Sequence, residues 1–391
     1  KGVTWAFISN VPATGRSGYG MITGLSTGSA MIALHTGSGN VRSQFFVDAF
    51  SGLGSFTNLD PGSTQDAKYS WPKVVLTQSG SVTNKFFFIA STSTEDSSFT
   101  NIGLSFTNSS FTGYKQARTD QAETYSIARS SDGKIGVAYV PDDIRFPNDQ
   151  GDVFFIESTD NGTTFSSPLR IFDSDFSSDS LGSLRGINIV YQGTTAKVVF
   201  ETIKQRGTFY FPGVPNNIRF WSPSLPGADP NRSIIIADSN NIPFAPYQGT
   251  RDVEAFVCRP SIGVSSDGAD LFVGFMVQNP ETSGADSSSY NDIYLTVSGN
   301  NGASWKKPFI ITPASPRYDW AYVSVSKVND KLGNTDYINM TMQRDSVPGA
   351  NVNVADPGTN AYQFFVRVSY PSPIGINPVN TIAEDYSLMQ N

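Results

Sequence analysis

The chain has 391 residues, with 27 Lys and Arg against 34 Asp and Glu, a formal net charge of −7. That balance is a poor match to nucleic acid or anionic lipid, whose binding needs clustered basic residues. A single His (His35) and a single Cys (Cys258) argue against a Cys/His zinc site, a Ser-His-Asp triad, a disulfide and an iron–sulfur cluster. No apolar run approaches the roughly 18 residues of a membrane helix. A hydrophobic content of 38% is ample for a core and argues against disorder.

Strand-like runs rich in Val, Ile, Phe and Tyr recur along the chain, split by Gly, Asn, Asp and Ser, and helical periodicity is absent. In chain order, a faint first unit runs Tyr19 to Leu25, a turn at Ser26-Thr27-Gly28, Ser29 to Leu34, then Arg42 to Phe50. The second runs Trp71 to Thr77, a Ser79-Gly80 turn, Lys85 to Ala90, and Asn101 to Ser105. The third runs Tyr125 to Arg129, a Ser131-Asp132-Gly133 turn, Lys134 to Val140, Asp152 to Ser158, and Phe165 to Phe172. The fourth runs Gly186 to Tyr191, a Gln192-Gly193 turn, Lys197 to Ile203, Asn217 to Trp221, and Ser233 to Ala237. The fifth runs Arg259 to Val264, a Ser266-Asp267-Gly268 turn, Asp270 to Val277, Asp292 to Ser298, and Trp305 to Thr312. The sixth runs Trp320 to Lys327, an Asn329-Asp330 turn, Tyr337 to Gln343, and Tyr362 to Ser369.

Four antiparallel strands repeated at a period of roughly 50–75 residues suit a β-propeller blade. The expected architecture is all-β: a six-bladed β-propeller of four-stranded antiparallel blades over residues 1–379, with a C-terminal tail at 380–391. A double β-sandwich of the same strand count is the alternative. Stacked blades bury both faces of the first strand, so Ile127, Ile189, Ile262 and Val323 should be core. Ring closure needs a strand from one terminus. Val3 to Ser9 and Asn380 to Glu384 are the candidates, and the N-terminal one is favoured.

Two loops between third and fourth strands carry a motif. Ser158-Thr159-Asp160-Asn161-Gly162-Thr163-Thr164-Phe165 and Ser298-Gly299-Asn300-Asn301-Gly302-Ala303-Ser304-Trp305 resemble the Asp-box, Ser-x-Asp-x-Gly-x-Thr-Trp, of sialidase-like propellers. The first has Phe165 for the Trp and the second has Asn300 for the Asp. Ser105 to Phe111 and Ser51 to Phe56 are weaker candidates. The side chain at the Asp position accepts backbone N–H bonds within the turn, and Gly takes a conformation closed to other residues. In that family the boxes lie on the rim, so Ser158, Asp160, Gly162, Phe165, Ser298, Asn300, Gly302 and Trp305 are structural and imply fold, not activity.

The resemblance also implies where a catalytic site would lie. Sialidases hold the substrate carboxylate with three arginines and use a Tyr–Glu pair with an Asp acid/base. Arg185, Arg259, Arg317, Tyr318, Asp319 and Glu201 stand near the starts of first strands or the end of a second, where such a site would be assembled. The family's early Arg-Ile-Pro segment is missing, and its nucleophile pattern is not recognisable. Packing roles compete: an ion pair with Glu254 or Asp252 for Arg259, and contacts between blades for Tyr318 and Trp320. No cofactor is implied. Asp173, Asp175 and Asp179 form a weak candidate calcium site without EF-hand spacing, as do Asp142, Asp143, Asp149 and Asp152. His35 and Cys258 are read as structural.

The last residues, Tyr386 to Asn391, resemble the stretch before the C-terminal sorting domain of type IX secretion cargo, which implies a mature product outside the cell or on its surface. Low charge, abundant Ser, Thr, Asn and Gly and a near absence of Cys fit that location. The expected function is non-catalytic, either glycan or protein binding or a building block of a surface assembly. The partner would be an extracellular glycan, a surface protein or further copies of the chain, with no nucleic acid and no membrane insertion. Contacts would be made through the loops Gln205 to Asn216, Gln278 to Tyr290 and Asp345 to Ala361. The second reading is an exo-glycosidase of sialidase type with its site in the central funnel.

Overall fold

A computed structural model of the chain describes residues 11, 17–25, 28–36, 42–50, 52–59, 69–78, 85–92, 100–101, 105–107, 110–112, 116–117, 124–141, 151–174, 180–206, 209–211, 216–225, 233–242, 255–282, 288–349, 359, 361–371 and 387–388. The described residues are all-β, with no helix long and apolar enough to cross a membrane. The two terminal strand candidates, the 386 to 391 stretch apart from Ser387 and Leu388, Glu254 and Asp252, and Asp142, Asp143, Asp149, Asp175 and Asp179 lie outside them.

The chain divides into two compact units. One holds the described residues within Phe7–Pro147 and Val153–Arg170, and the other those within Asn148–Asp152 and Ile171–Asn391. The first unit opens with a four-stranded meander: β1 (Ser17–Gly24), β2 (Ala30–Thr36), β3 (Arg42–Asp48) and β4 (Phe56–Leu59). The pair β5 (Tyr69–Gln78) and β6 (Lys85–Thr92) follows. Short strands come next, with β7 (Thr100–Asn101) paired to β10 (Gln116–Ala117) and β8 (Ser105–Thr107) to β9 (Ser110–Thr112). The unit ends in a second meander of β11 (Tyr125–Arg129), β12 (Ile135–Tyr139), β13 (Val153–Ser158) and β14 (Leu169–Phe172), whose last two residues fall at the boundary.

In the second unit, β15 (Ser180–Gly182), β16 (Ile187–Gln192), β17 (Thr195–Arg206), β18 (Phe209–Phe211), β19 (Asn217–Trp221) and β20 (Ile234–Ala237) form one sheet. A nine-stranded sheet follows. It contains β21 (Val257–Ser265), β22 (Leu271–Thr282), β23 (Ser289–Ser298), β24 (Phe309–Ile310), β25 (Asp319–Val325), β26 (Val328–Leu332), β27 (Thr335–Asp345), β28 (Ala361–Tyr370) and β29 (Ser387–Leu388).

The continuous apolar runs explain how these sheets pack. A strand covered on both faces loses the polar alternation of a half-exposed one. Along Phe86 to Ala90, Phe88 and Ala90 join Val74 and the first meander's Met31, Ala33 and Phe45, whereas Phe87 and Ile89 join Val75 and the second meander's Tyr125, Ile127 and Val137. The second unit repeats this. Val273, Phe275 and Val277 of β22 pack with Val199, Ile218 and Phe220, and Phe272 and Met276 pack with Trp320, Val323, Met340 and Phe364 on the other side. Ile127, Ile189, Ile262 and Val323 are all buried, as expected of first strands, and so is Cys258.

Two expectations need correction. Asn329-Asp330 is not the hairpin turn of the last unit. The turn lies at Gly333, whose φ is +61°, and Asn329 sits fully buried in β26. Its amide donates to the Ser326 carbonyl at 2.8 Å and accepts the Asn339 N–H at 2.8 Å, so a turn-forming residue is used as buried polar glue. β26 then pairs in parallel with β21, joining the fifth and sixth sequence repeats into one sheet within the second compact unit. The expected contact loops are also shorter, because β22 continues to Thr282 and β17 to Arg206, where it pairs with β18.

Candidate functional site

Four first strands share one irregularity. Pairing slips between Gly18 and Met21 in β1, between Ser70 and Lys73 in β5, between Cys258 and Ser261 in β21, and between Ala321 and Ser324 in β25. Each slip holds one non-glycine residue in the left-handed region: Tyr19 (φ 54°), Trp71 (54°), Arg259 (52°) and Tyr322 (53°). That conformation costs a bulky L-residue roughly 1–3 kcal/mol. A β-bulge re-aims a side chain out of the pleat, and such bulges concentrate beside functional sites. Pro72 and Pro260 follow two of them, at positions where an interrupted ladder has no bond to lose.

The re-aimed side chains meet in pairs within each unit. Tyr19 and Trp71 pack edge to face, their ring centres 6.1 Å apart, with the His35 ring 5.2 Å from Tyr19. His35 Nδ1 accepts the Trp71 N–H at 3.2 Å, and the Tyr125 hydroxyl donates to the Trp71 carbonyl at 2.7 Å. In the other unit the Arg259 guanidinium lies 5.9 Å over the Tyr322 ring. A methionine sulfur supports each pair: Met21 Sδ accepts the Val74 N–H, and Met276 Sδ accepts the Tyr322 N–H, both at 3.3 Å. Tyr19 is 54% exposed and Tyr322 48%, high for aromatic residues held this firmly. Of the four, only Arg259 stood out in the sequence as a site candidate. No common spacing in the sequence marks the other three.

The other candidates fall into two clusters. Glu201 is buried in β17; its Oε1 accepts the Arg185 N–H at 3.2 Å and its Oε2 the Arg259 N–H at 2.8 Å. Its carboxylate thus fixes the backbone carrying both arginines. Arg317, Tyr318 and Asp319 lie together before β25. Arg317 chelates the fully buried Asp292 at 3.0 and 3.2 Å, and its Nε stands 3.3 Å from Glu281. Asp292 also accepts from the Thr312 hydroxyl at 3.1 Å and the Asn279 amide at 2.8 Å. Asp319 accepts the Asn291 N–H at 2.7 Å and its side-chain amide at 2.9 Å. Tyr318 carries the Arg344 guanidinium 4.2 Å above its ring. Asp173 is half-buried, and among the described residues no group of three or more His, Cys, Asp or Glu is placed to hold a metal ion.

The two motif turns have nearly the same geometry. Ser158 Oγ donates to Asp160 Oδ1 and Ser298 Oγ to Asn300 Oδ1, at 2.8 and 2.9 Å, and each Ser accepts the N–H of Gly162 or Gly302. Asp160 Oδ1 accepts the Thr164 N–H at 2.8 Å, and Asn300 Oδ1 the Ser304 N–H at 2.9 Å. One bond reverses polarity: the Thr164 hydroxyl donates to Asp160 Oδ2, whereas Asn300 Nδ2 donates to the Ser304 hydroxyl. The Thr164 bonds and then Ser158 pull the Asp160 carboxyl down to about 2. Each turn clasps a phenylalanine of the preceding sheet. Gly162 and Phe165 lie on Phe87, and Gly302 and Trp305 lie on Phe220.

No family model matches the chain, and no curated protein matches it. Solved structures do. A polysaccharide lyase of family PL25, an ulvan lyase, superposes at TM-score 0.52 with 10% identity, covering 91% of this chain and 90% of its own. The same enzyme bound to -[GlcA(1-4)Rha3S]- gives 0.51 over the same shares. The chain therefore shares their fold, nearly end to end. A fungal lectin from Aleuria aurantia, described as a six-bladed β-propeller, covers 93% of this chain and 96% of its own at 10% identity, but its TM-score of 0.42 is too loose to fix a blade number.

Proposed function

We propose that the protein is a sialidase-like β-propeller of six blades that binds glycans without chemistry, through side chains presented by the strand bulges. The observation that carries this reading is the repeated bulge. Four first strands hold Tyr19, Trp71, Arg259 and Tyr322 in the same strained conformation, and two of these expose about half of a tyrosine. Strain of this kind persists only where the surroundings enforce it. Rigid aromatic faces next to a guanidinium suit the apolar faces and hydroxyl edges of sugar rings. The polysaccharide lyase of shared fold, with one of its two structures bound to -[GlcA(1-4)Rha3S]-, is in keeping with this class of ligand. A secreted or cell-surface location goes with the reading, supported by low charge and one buried Cys.

An exo-glycosidase is the second reading, in which the buried Glu201 carboxylate holds the backbone of Arg185 and of Arg259. Against it, Arg317 is neutralised by Asp292 and Glu281. Screening the protein on a broad polysaccharide and glycan array, beside a fluorogenic sialoside assay, separates the two. Binding without turnover supports the lectin reading, turnover supports the enzyme, and silence in both removes both.

A further inference from the structure

The face shared by β25, β27 and β28 ends in an arginine surrounded by aromatic rings. Arg344 lies directly across from Trp320 on one side and Tyr362 on the other, so all three project from one face of the sheet. Its guanidinium carbon is 4.2 Å from the Tyr318 ring centre, 4.3 Å from Phe364, 5.7 Å from Tyr362 and 5.9 Å from Trp320. Trp320 and Phe364 belong to the core, whereas Tyr362 is 37% exposed and Tyr318 half-buried. The cluster is therefore a wall closed on the core side and open on the other.

The neighbouring arginines show what is missing. Arg317 chelates Asp292, and Arg367 stacks on Tyr337 while its Nη2 pairs with Asp330 at 3.2 Å. Arg344 has the stacking and no carboxylate among the described residues. A guanidinium stays charged under all ordinary conditions, and taking it partly out of water without a counter-charge is costly. Stacking on four rings offsets part of this and fixes the plane of the donor fork. Beside it, the Trp320 Nε1–H is buried and meets no acceptor among the described residues. An immobilised, unneutralised fork flanked by an exposed tyrosine is suited to bidentate recognition of an anionic oxygen pair on a ring-shaped ligand.

We infer that Arg344 is the charge-reading element of a saccharide site: it binds the carboxylate or sulfate of an acidic glycan, while Tyr362 and Tyr318 contact the sugar ring. This rests on the glycan-binding reading above and deepens it by naming the ligand class.

The test uses the full chain in affinity electrophoresis and titration against polygalacturonate (carboxylate), chondroitin sulfate (carboxylate and sulfate) and galactan (neutral). The variants are Arg344→Lys and Arg344→Met, with folding checked by thermal melting. The lysine variant keeps the charge and guards against a methionine variant that fails to fold. We expect wild type to retain at least one acidic polymer more strongly than galactan. Arg344→Met should lose about tenfold or more in affinity for it, and Arg344→Lys should lose less. Loss by Tyr362→Ala with an unchanged melt would add support. Binding to neutral polymers only, or acidic binding indifferent to both Arg344 variants, overturns this inference while leaving glycan binding in place. Silence toward every polymer, here and on the array, removes both.

Discussion

Glu201 Oε2 accepts the backbone N–H of Arg259 at 2.8 Å, joining the middle of one sheet to the strained bulge of the next. The same carboxylate takes the Arg185 N–H, and Gly186 is a glycine because a Cβ there would run into it. Glu201→Gln replaces one accepting oxygen by a donor facing a backbone donor, leaving a buried N–H unsatisfied. We expect it to destabilise the fold by about 1–3 kcal/mol, measured by urea unfolding. An unchanged midpoint would mean that the carboxylate does not organise the arginines.

The motif turns predict an asymmetry between substitutions. Asn300→Asp should be tolerated within about 0.5 kcal/mol, because the Ser304 hydroxyl can rotate to donate to the new oxygen, as Thr164 does to Asp160. Gly162→Ala and Gly302→Ala should each cost about 2–4 kcal/mol, since φ there is +82° and +89° and a Cβ would overlap Phe87 or Phe220. Paired thermal melts check this. Equal effects of the two kinds of change would contradict the clasp.

Asp336 gives the stability a pH dependence of distinctive sign. Burial, then the nearby Asp270 charge, push it up to about 6, against the opposing pull of Lys331. A carboxyl whose folded value is raised contributes stability that is full below about 4 and is lost as pH rises through about 6. Asp336→Asn should therefore raise stability at pH 8 by about 1–3 kcal/mol and change it little at pH 4. Lys331 keeps Asp267 as a partner, and Asp270 as well. Denaturation at the two pH values measures the difference. A variant destabilised at pH 8 would show that the Lys331 pairing outweighs burial.

The strand repeat was legible in the sequence because sheets covered on both faces demand apolar runs and the tight turns demand Gly beside Asp or Ser. The Ser265–Asp267 turn shows the local logic: Ser265 Oγ donates to Asp267 at 2.6 Å, and Gly268 follows with φ +74°. The bulges were not legible. Tyr19, Trp71 and Tyr322 are ordinary strand residues by composition, and their left-handed backbone goes with a register slip against a strand close by in the chain, which no residue type there announces. Asn329 misled because its turn propensity is overridden by the Val264 carbonyl and the Asn339 N–H, which the assembled sheet brings within reach, together with the nearby Ser326 carbonyl. Arg344 was passed over because its rings come from β28, β25 and the residue just before β25, none of them its own strand.

Tyr322 tests the central claim most directly, because its strain and its proposed role can be separated. Calorimetric titration of the best-binding glycan should be run on wild type, Tyr322→Gly and Tyr19→Gly, each beside a thermal melt. Glycine relieves a positive φ at little cost, so we expect melting temperatures unchanged or higher, with affinity down about tenfold or more from the lost ring. Full glycan affinity in both glycine variants, with their folds intact, would contradict binding through the bulges.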